Sequence, residues 1–181
     1  YEGLKQSITH ESCVPSMVFM DDSFLKTVPP YHRKATMLDA LCHSIESFWS
    51  VNATEESKAY AREAIALILD NQEKYLRNEA QGNINMQRAS QLAGRAINIT
   101  QTTAGHAMCY MLTSLYGIAH GHAAALCNIQ LWSHMLRHTA DCIDRRGERY
   151  LKQTLRELAT AFECDSPEEA AVKFKEIVEG L

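Results

Sequence analysis

Ala61, Ala64, Ile65, Ile68 and Leu69 recur at three- and four-residue spacing, so on a helix they form one apolar stripe along a single face. Thr54-Glu55-Glu56 just ahead supplies a cap and an acidic first turn that complements the helix dipole. The reading is a long helix ending near 78. Pro29 and Pro30 block what precedes them and favour a helix start near Tyr31. Further helices are expected near 84–99, 103–116, 120–140 and 146–162. Ser166-Pro167-Glu168-Glu169 combines an N-cap serine, a proline at the first helical position and a capping-box glutamate, and so opens a last helix. Only Ser16-Met17-Val18-Phe19-Met20 reads differently, as a short strand or extended link without a partner strand. The expected architecture is an all-α bundle of about six or seven helices over 29–181, with 1–28 as a link region.

Composition agrees with ordered helix. The 181 residues suit one domain with a sizeable core, and 46% hydrophobic residues with 8 Gly and 4 Pro argue against disorder. A formal charge of −4 with no basic stripe speaks against a nucleic-acid partner. Cys13, Cys42, Cys109, Cys127, Cys142 and Cys164 are scattered without a C-x-x-C pair, the usage expected of reduced thiols in the cytoplasm. No apolar run approaches the roughly 18 residues of a membrane span, and no signal peptide opens the chain. Tyr1 stands where an initiating Met is expected, and the first 14 residues form no complete periodic element, so the chain reads as a piece of a longer protein. Internal repeats and low-complexity tracts are absent.

Four residues carry the chemistry. Asp39 and His43 stand four apart in Asp39-Ala40-Leu41-Cys42-His43, one turn apart on the same helix face. His106 and His120 flank a break around Gly117 and Gly121 that ends one helix and starts another, which lets both imidazoles turn toward one point. One carboxylate and three imidazoles form a donor set that Fe2+ or Zn2+ accepts.

With these residues in place, the chain resembles the iron-containing alcohol dehydrogenase family, specifically its C-terminal, metal-binding half. The family's first ligand segment, Asp-x-x-x-His-x-x-Glu, is matched by Asp39, His43 and Glu46. Its second, two histidines fourteen positions apart with Gly after the later one, is matched by His106 and His120-Gly121. The likeness runs from about residue 15 to at least 132. The resemblance implies a helical C-terminal domain of the dehydroquinate synthase-like fold, with Asp39, His43, His106 and His120 as ligands of Fe2+ or Zn2+. It also implies hydride transfer between NAD(P)H and an aldehyde or ketone, with the dinucleotide held by an N-terminal domain. No G-x-G-x-x-G run occurs among the eight glycines to cradle a pyrophosphate, so the chain alone is expected to be inactive. Loss of that partner domain would expose apolar surface, and a homodimer is one expected outcome.

Other positions stay open. Glu46, one turn beyond His43, either orients that imidazole or serves on the surface or as a cap. Several family members carry a histidine where this chain has Tyr110, leaving Tyr110 as a proton donor or a buried aromatic. The stretch from Ala93 to His106 is similar to the branch that reduces phosphonoacetaldehyde. Arg95 there either grips an anionic substrate tail or pairs locally, and Thr102 and Thr103 are further donors or an N-cap. His122 is two residues past a ligand and should point away from the metal. His10, His32, His134 and His138 are expected to be structural or solvent-facing, although the last two are four apart. A non-redox metal-dependent hydrolase and a non-catalytic helical module are the competing readings.

Overall fold

The computed structural model describes residues 10–180, in which seven α-helices and three short 3-10 turns account for the regular structure and no strand occurs. The helices are α1 (Pro30–Trp49), α2 (Glu55–Leu76), α3 (Ala80–Thr100), α4 (Ala104–Tyr116), α5 (His120–Arg137), α6 (Gly147–Ala161) and α7 (Pro167–Glu179). The all-α expectation holds. Residues 14–20 form neither helix nor strand, with bends at Val14 and Ser16, and Phe19 is at the surface. Two 3-10 turns there were not foreseen from the sequence: Glu11–Cys13, capped by His10, and Asp22–Thr27, capped by Asp21. Expectations about residues 1–9 lie outside the described part.

Helix α1 is the spine. It packs on α2, α3, α5 and α6, and Met37, Leu38, Leu41, Cys42, Ile45 and Phe48 bury almost all of their surface, together with the polar Arg33, Ser44, Glu46 and Ser47. Thr54 and Ser57 close a reciprocal capping box on α2, and Ala61, Ala64, Ile65 and Ile68 are fully buried on its inner face. Trp132 on α5 is the second packing centre. Its indole meets the rings of Phe162 and Phe174 edge-on or tilted at 5.4 and 5.8 Å, and Trp49 at 5.8 Å, joining α1, α5 and α7 to the end of α6.

Boundaries moved where tertiary contacts outweigh the apolar pattern. Helix α3 starts at Ala80 because Asn83, a polar residue in its first turn, is fully buried and accepts a 2.7 Å bond from Arg33. Arg33 is itself 2% exposed. Its guanidinium also donates to the carbonyls of Leu25 and Tyr75 and to Asn78 Oδ1, and lies over the Tyr75 ring. Helix α5 stops at Arg137, and Thr139–Asp141 turns instead as a 3-10 segment toward α6, where Thr139 Oγ1 donates to Glu148 at 2.7 Å. Ser166 caps α7 as expected, but Glu169 reaches back to the N–H of Asp165 rather than to that of the cap residue.

Candidate metal centre

Asp39 and His43 leave one face of α1, His106 lies in the first turn of α4, and His120 is the first residue of α5. Gly117 ends α4 in the left-handed conformation, φ 68°, which a residue with a side chain adopts only at a cost. The chain then turns back within three residues to begin α5. Gly121 permits the next step. A Cβ at that position would fall 2.6 Å from Asp39 Cβ and 2.8 Å from Asp39 N, and would also strike the Ala35 carbonyl. The start of α5 therefore lies directly on α1, which delivers His120 to Asp39.

Three of the four expected donors converge. Among the described residues, Asp39, His106 and His120 form the one group of three or more His, Cys, Asp or Glu side chains whose ligand atoms all lie within 4.8 Å of one another. Asp39 Oδ1 is 3.3 Å from His106 Nε2 and 3.8 Å from His120 Nε2. His43 lies outside that group: its ring stacks on that of His106, with centroids 4.4 Å apart and planes 14° from parallel. One carboxylate and two imidazoles, with a third imidazole alongside, suit a divalent iron or zinc ion.

Glu46 anchors the arrangement from behind. It is completely buried, and Oε1 accepts from His106 Nδ1 at 2.6 Å and from Asn128 Nδ2 at 2.9 Å. Oε2 accepts from the backbone N–H of Thr103 and from Thr103 Oγ1 at 2.7 Å, and Trp49 Nε1 donates to that same hydroxyl at 3.0 Å. The partner of Glu46 is thus His106, not the His43 suggested by the one-turn spacing, because the α4 N-terminus arrives against that side of α1. Thr103 does not cap α4 with its side chain. Glu46 instead accepts the N–H of Thr103 itself, at a helix start whose positive dipole end favours a carboxylate.

These contacts set the protonation states. Burial works against charge on His106, but the bonds to Asp39 and Glu46 outweigh it and raise its pKa to about 9. Burial lowers that of His43 to about 4, only partly opposed by Asp39. Burial alone would raise Asp39 and Glu46, yet the bond each makes to His106 leaves both below their ordinary values.

The remaining candidates lie elsewhere. Arg95 is exposed on α3, its guanidinium stacked 3.9 Å from the Tyr60 ring centre and bonded to the Tyr60 hydroxyl, which is the local pairing rather than the anion-gripping one. Thr102 is exposed. The Tyr110 ring lies nearly parallel to that of His120, with centroids 5.6 Å apart. His122 turns to Tyr31, whose hydroxyl is 3.3 Å from Nδ1. His134 and His138 stack at 4.5 Å beside Asp141. Asn128 and Trp49 escaped the sequence reading: each acts on Glu46 or Thr103 across helices, and no local spacing signals that.

A buried carboxylate braces one of two imidazoles that meet a second carboxylate, an arrangement within a helical domain that could hold a divalent ion. Residues 34–181 match the family model described as Fe-containing alcohol dehydrogenase family, C-terminal. The chain belongs to that family. It is 30% identical over 96% of its length to a phosphonoacetaldehyde reductase of Streptomyces viridochromogenes, covering 45% of that protein. It is 35% identical over 69% of its length to a long-chain-alcohol dehydrogenase of Geobacillus thermodenitrificans, covering 32% of it. The chain thus spans less than half the length of these relatives. Among solved structures, an iron-containing alcohol dehydrogenase from Thermococcus thioreducens superposes with a TM-score of 0.75 at 21% identity, over 88% of this chain and 39% of that one. A sulfoacetaldehyde reductase from Bifidobacterium kashiwanohense in complex with NAD+ superposes with a TM-score of 0.69 at 25% identity, over 87% and 40%.

Proposed function

We propose that this domain is the metal-binding half of a metal-dependent, NAD(P)-linked alcohol dehydrogenase or aldehyde reductase. The convergence of Asp39, His106 and His120 carries the reading, with His43 as the fourth donor. Its pKa of about 4 leaves that imidazole neutral, with a lone pair available, at physiological pH. A divalent iron or zinc ion held by these residues supplies Lewis acidity toward the oxygen of a carbonyl substrate.

The chain's own residues prepare that chemistry. Glu46 keeps the proton of His106 on Nδ1, so Nε2 faces Asp39 and the site. Asp39, held anionic, supplies the hard oxygen donor. The His43 ring covers one face of His106 and keeps water from it. In this reading the nicotinamide is held outside this chain, supported by the chain's covering 45% and 32% of the two relatives. Phosphonoacetaldehyde is the proposed substrate, supported by the match over 96% of the chain to a reductase of that name.

No helix among the described residues is long and apolar enough to cross a membrane. A cytoplasmic location belongs to the proposal, supported by six cysteines that form no disulfide. So does a homodimer, for which Met111, Leu115 and Tyr116 present exposed apolar surface on α4.

Elemental analysis of the chain purified without chelator should find one divalent ion per chain, and His106→Ala should lower occupancy at least about tenfold. Unchanged stoichiometry in that variant overturns the ligand assignment. A longer protein carrying the domain should reduce phosphonoacetaldehyde with NADH or NADPH, whereas turnover without nicotinamide would favour hydrolysis.

A further inference from the structure

The two imidazoles that face Asp39 are braced differently. His106 has a carboxylate on Nδ1, whereas Nδ1 of His120 has the Cys109 sulfur at 3.4 Å. Cys109 is fully buried, and the same sulfur lies 3.1 Å from the backbone carbonyl of His106. That carbonyl can only accept, so the thiol proton goes to it and the sulfur lone pairs are left toward His120.

The Cys109 contact distinguishes the two edges of the His120 ring. That side chain is 31% exposed, and the parallel Tyr110 ring sets the plane of the imidazole but is indifferent to which edge leads. A half-turn about the bond to the ring keeps the stack and exchanges Nε2 for a carbon at the edge facing Asp39. We propose that Cys109 is a positioning residue for metal binding: its thiol donates to the His106 carbonyl and accepts from His120 Nδ1–H, holding Nε2 of His120 toward Asp39. One neutral thiol thereby ties both imidazoles together without adding a third negative charge beside Asp39 and Glu46. The inference rests on the metal-binding reading above.

Cobalt(II) titrated anaerobically into the 181-residue chain separates the two claims, because its visible bands report ligand geometry as well as occupancy. Wild type should bind and show those bands. Cys109→Ala should bind about tenfold more weakly, with shifted bands. Cys109→Ser, whose hydroxyl can also donate one way and accept the other, should recover most of the affinity. Wild-type affinity and bands in Cys109→Ala overturn the positioning role while leaving the metal site standing, as does a serine variant no better than alanine. Absence of cobalt binding by wild type overturns the metal reading, and this inference with it. Should Cys109→Ala fail to fold, Cys109→Val, which keeps the side-chain volume but can neither donate nor accept, decides: weakened cobalt binding with shifted bands is expected, and wild-type affinity and bands overturn the proposal.

Discussion

Glu46 and His106 form a buried carboxylate–imidazole pair, Oε1 to Nδ1 at 2.6 Å, with neither side chain more than 2% exposed. Asp39 approaches the opposite nitrogen at 3.3 Å, so without a metal the ring is an imidazolium shared by two carboxylates. Metal binding must displace the Nε2 proton while the Glu46 bond keeps the other in place.

Glu46→Gln should be far more damaging than its size suggests. The carboxylate receives four donors, from His106, Asn128 and twice from Thr103. An amide has one acceptor oxygen and would turn its own N–H groups against two of them. Denaturant unfolding should show a loss of about 3–5 kcal/mol, and metal affinity should fall by about 10- to 100-fold. A variant with wild-type affinity would remove Glu46 from the site.

Stability of the metal-free chain should peak near pH 6.5. His106, raised from 6.5 to about 9, contributes stability that is full below 6.5 and lost as pH rises through 9; at about 1.4 kcal/mol per unit the alkaline loss is on the order of 3 kcal/mol. His43, lowered to about 4, is destabilising where the unfolded chain takes up the proton first, so stability falls as pH drops from 6.5 toward 4. The depressed Asp39 and Glu46 add to that acid loss. Zinc should abolish the alkaline limb and, at pH 7.5, release about one proton per ion bound. Thermal melts across pH, with calorimetry in buffers of different ionisation enthalpy, check both.

Gly121→Ala should open the junction of α1 and α5. The added methyl meets the Asp39 backbone and the Ala35 carbonyl, not the end of a flexible side chain, so the helices must separate at about 1–3 kcal/mol. Because the separation falls beside His120, metal affinity should drop as well. Urea unfolding and metal titration together test this; a fully stable variant that loses only metal would place the strain elsewhere.

Arg95→Ala should leave metal affinity unchanged and cost at most about 1 kcal/mol, since it removes an exposed stack on Tyr60. In a longer protein active on phosphonoacetaldehyde, the Michaelis constant should not move. A large rise with turnover preserved would restore Arg95 to the substrate.

The helices and the spacing of the candidate donors were legible because both are local: the α2 stripe, the Thr54 and Ser166 caps, the one-turn separation of Asp39 and His43, and the glycine following His120 all lie within a few residues, whereas the convergence of three of the four donors, with His43 stacked alongside, was not. What the sequence hid is the cross-helix wiring. Glu46 was visible as a conspicuous acid, but its true partner sits sixty residues away, and Asn128 has no neighbour in sequence to suggest that it braces that acid. The start of α3 was misplaced for the same reason, because Asn83 is buried by Arg33 rather than by apolar character.

Arg33 also acts as a gauge of chain length. Its donors reach the carbonyls of Leu25 and Tyr75 and the side chains of Asn78 and Asn83, so the turn between α2 and α3 is measured from both sides by one rigid, planar cation. One residue inserted between 76 and 80 would carry two of those acceptors out of reach and strand a buried charge. Length variation in this domain therefore belongs to connections other than the one between α2 and α3.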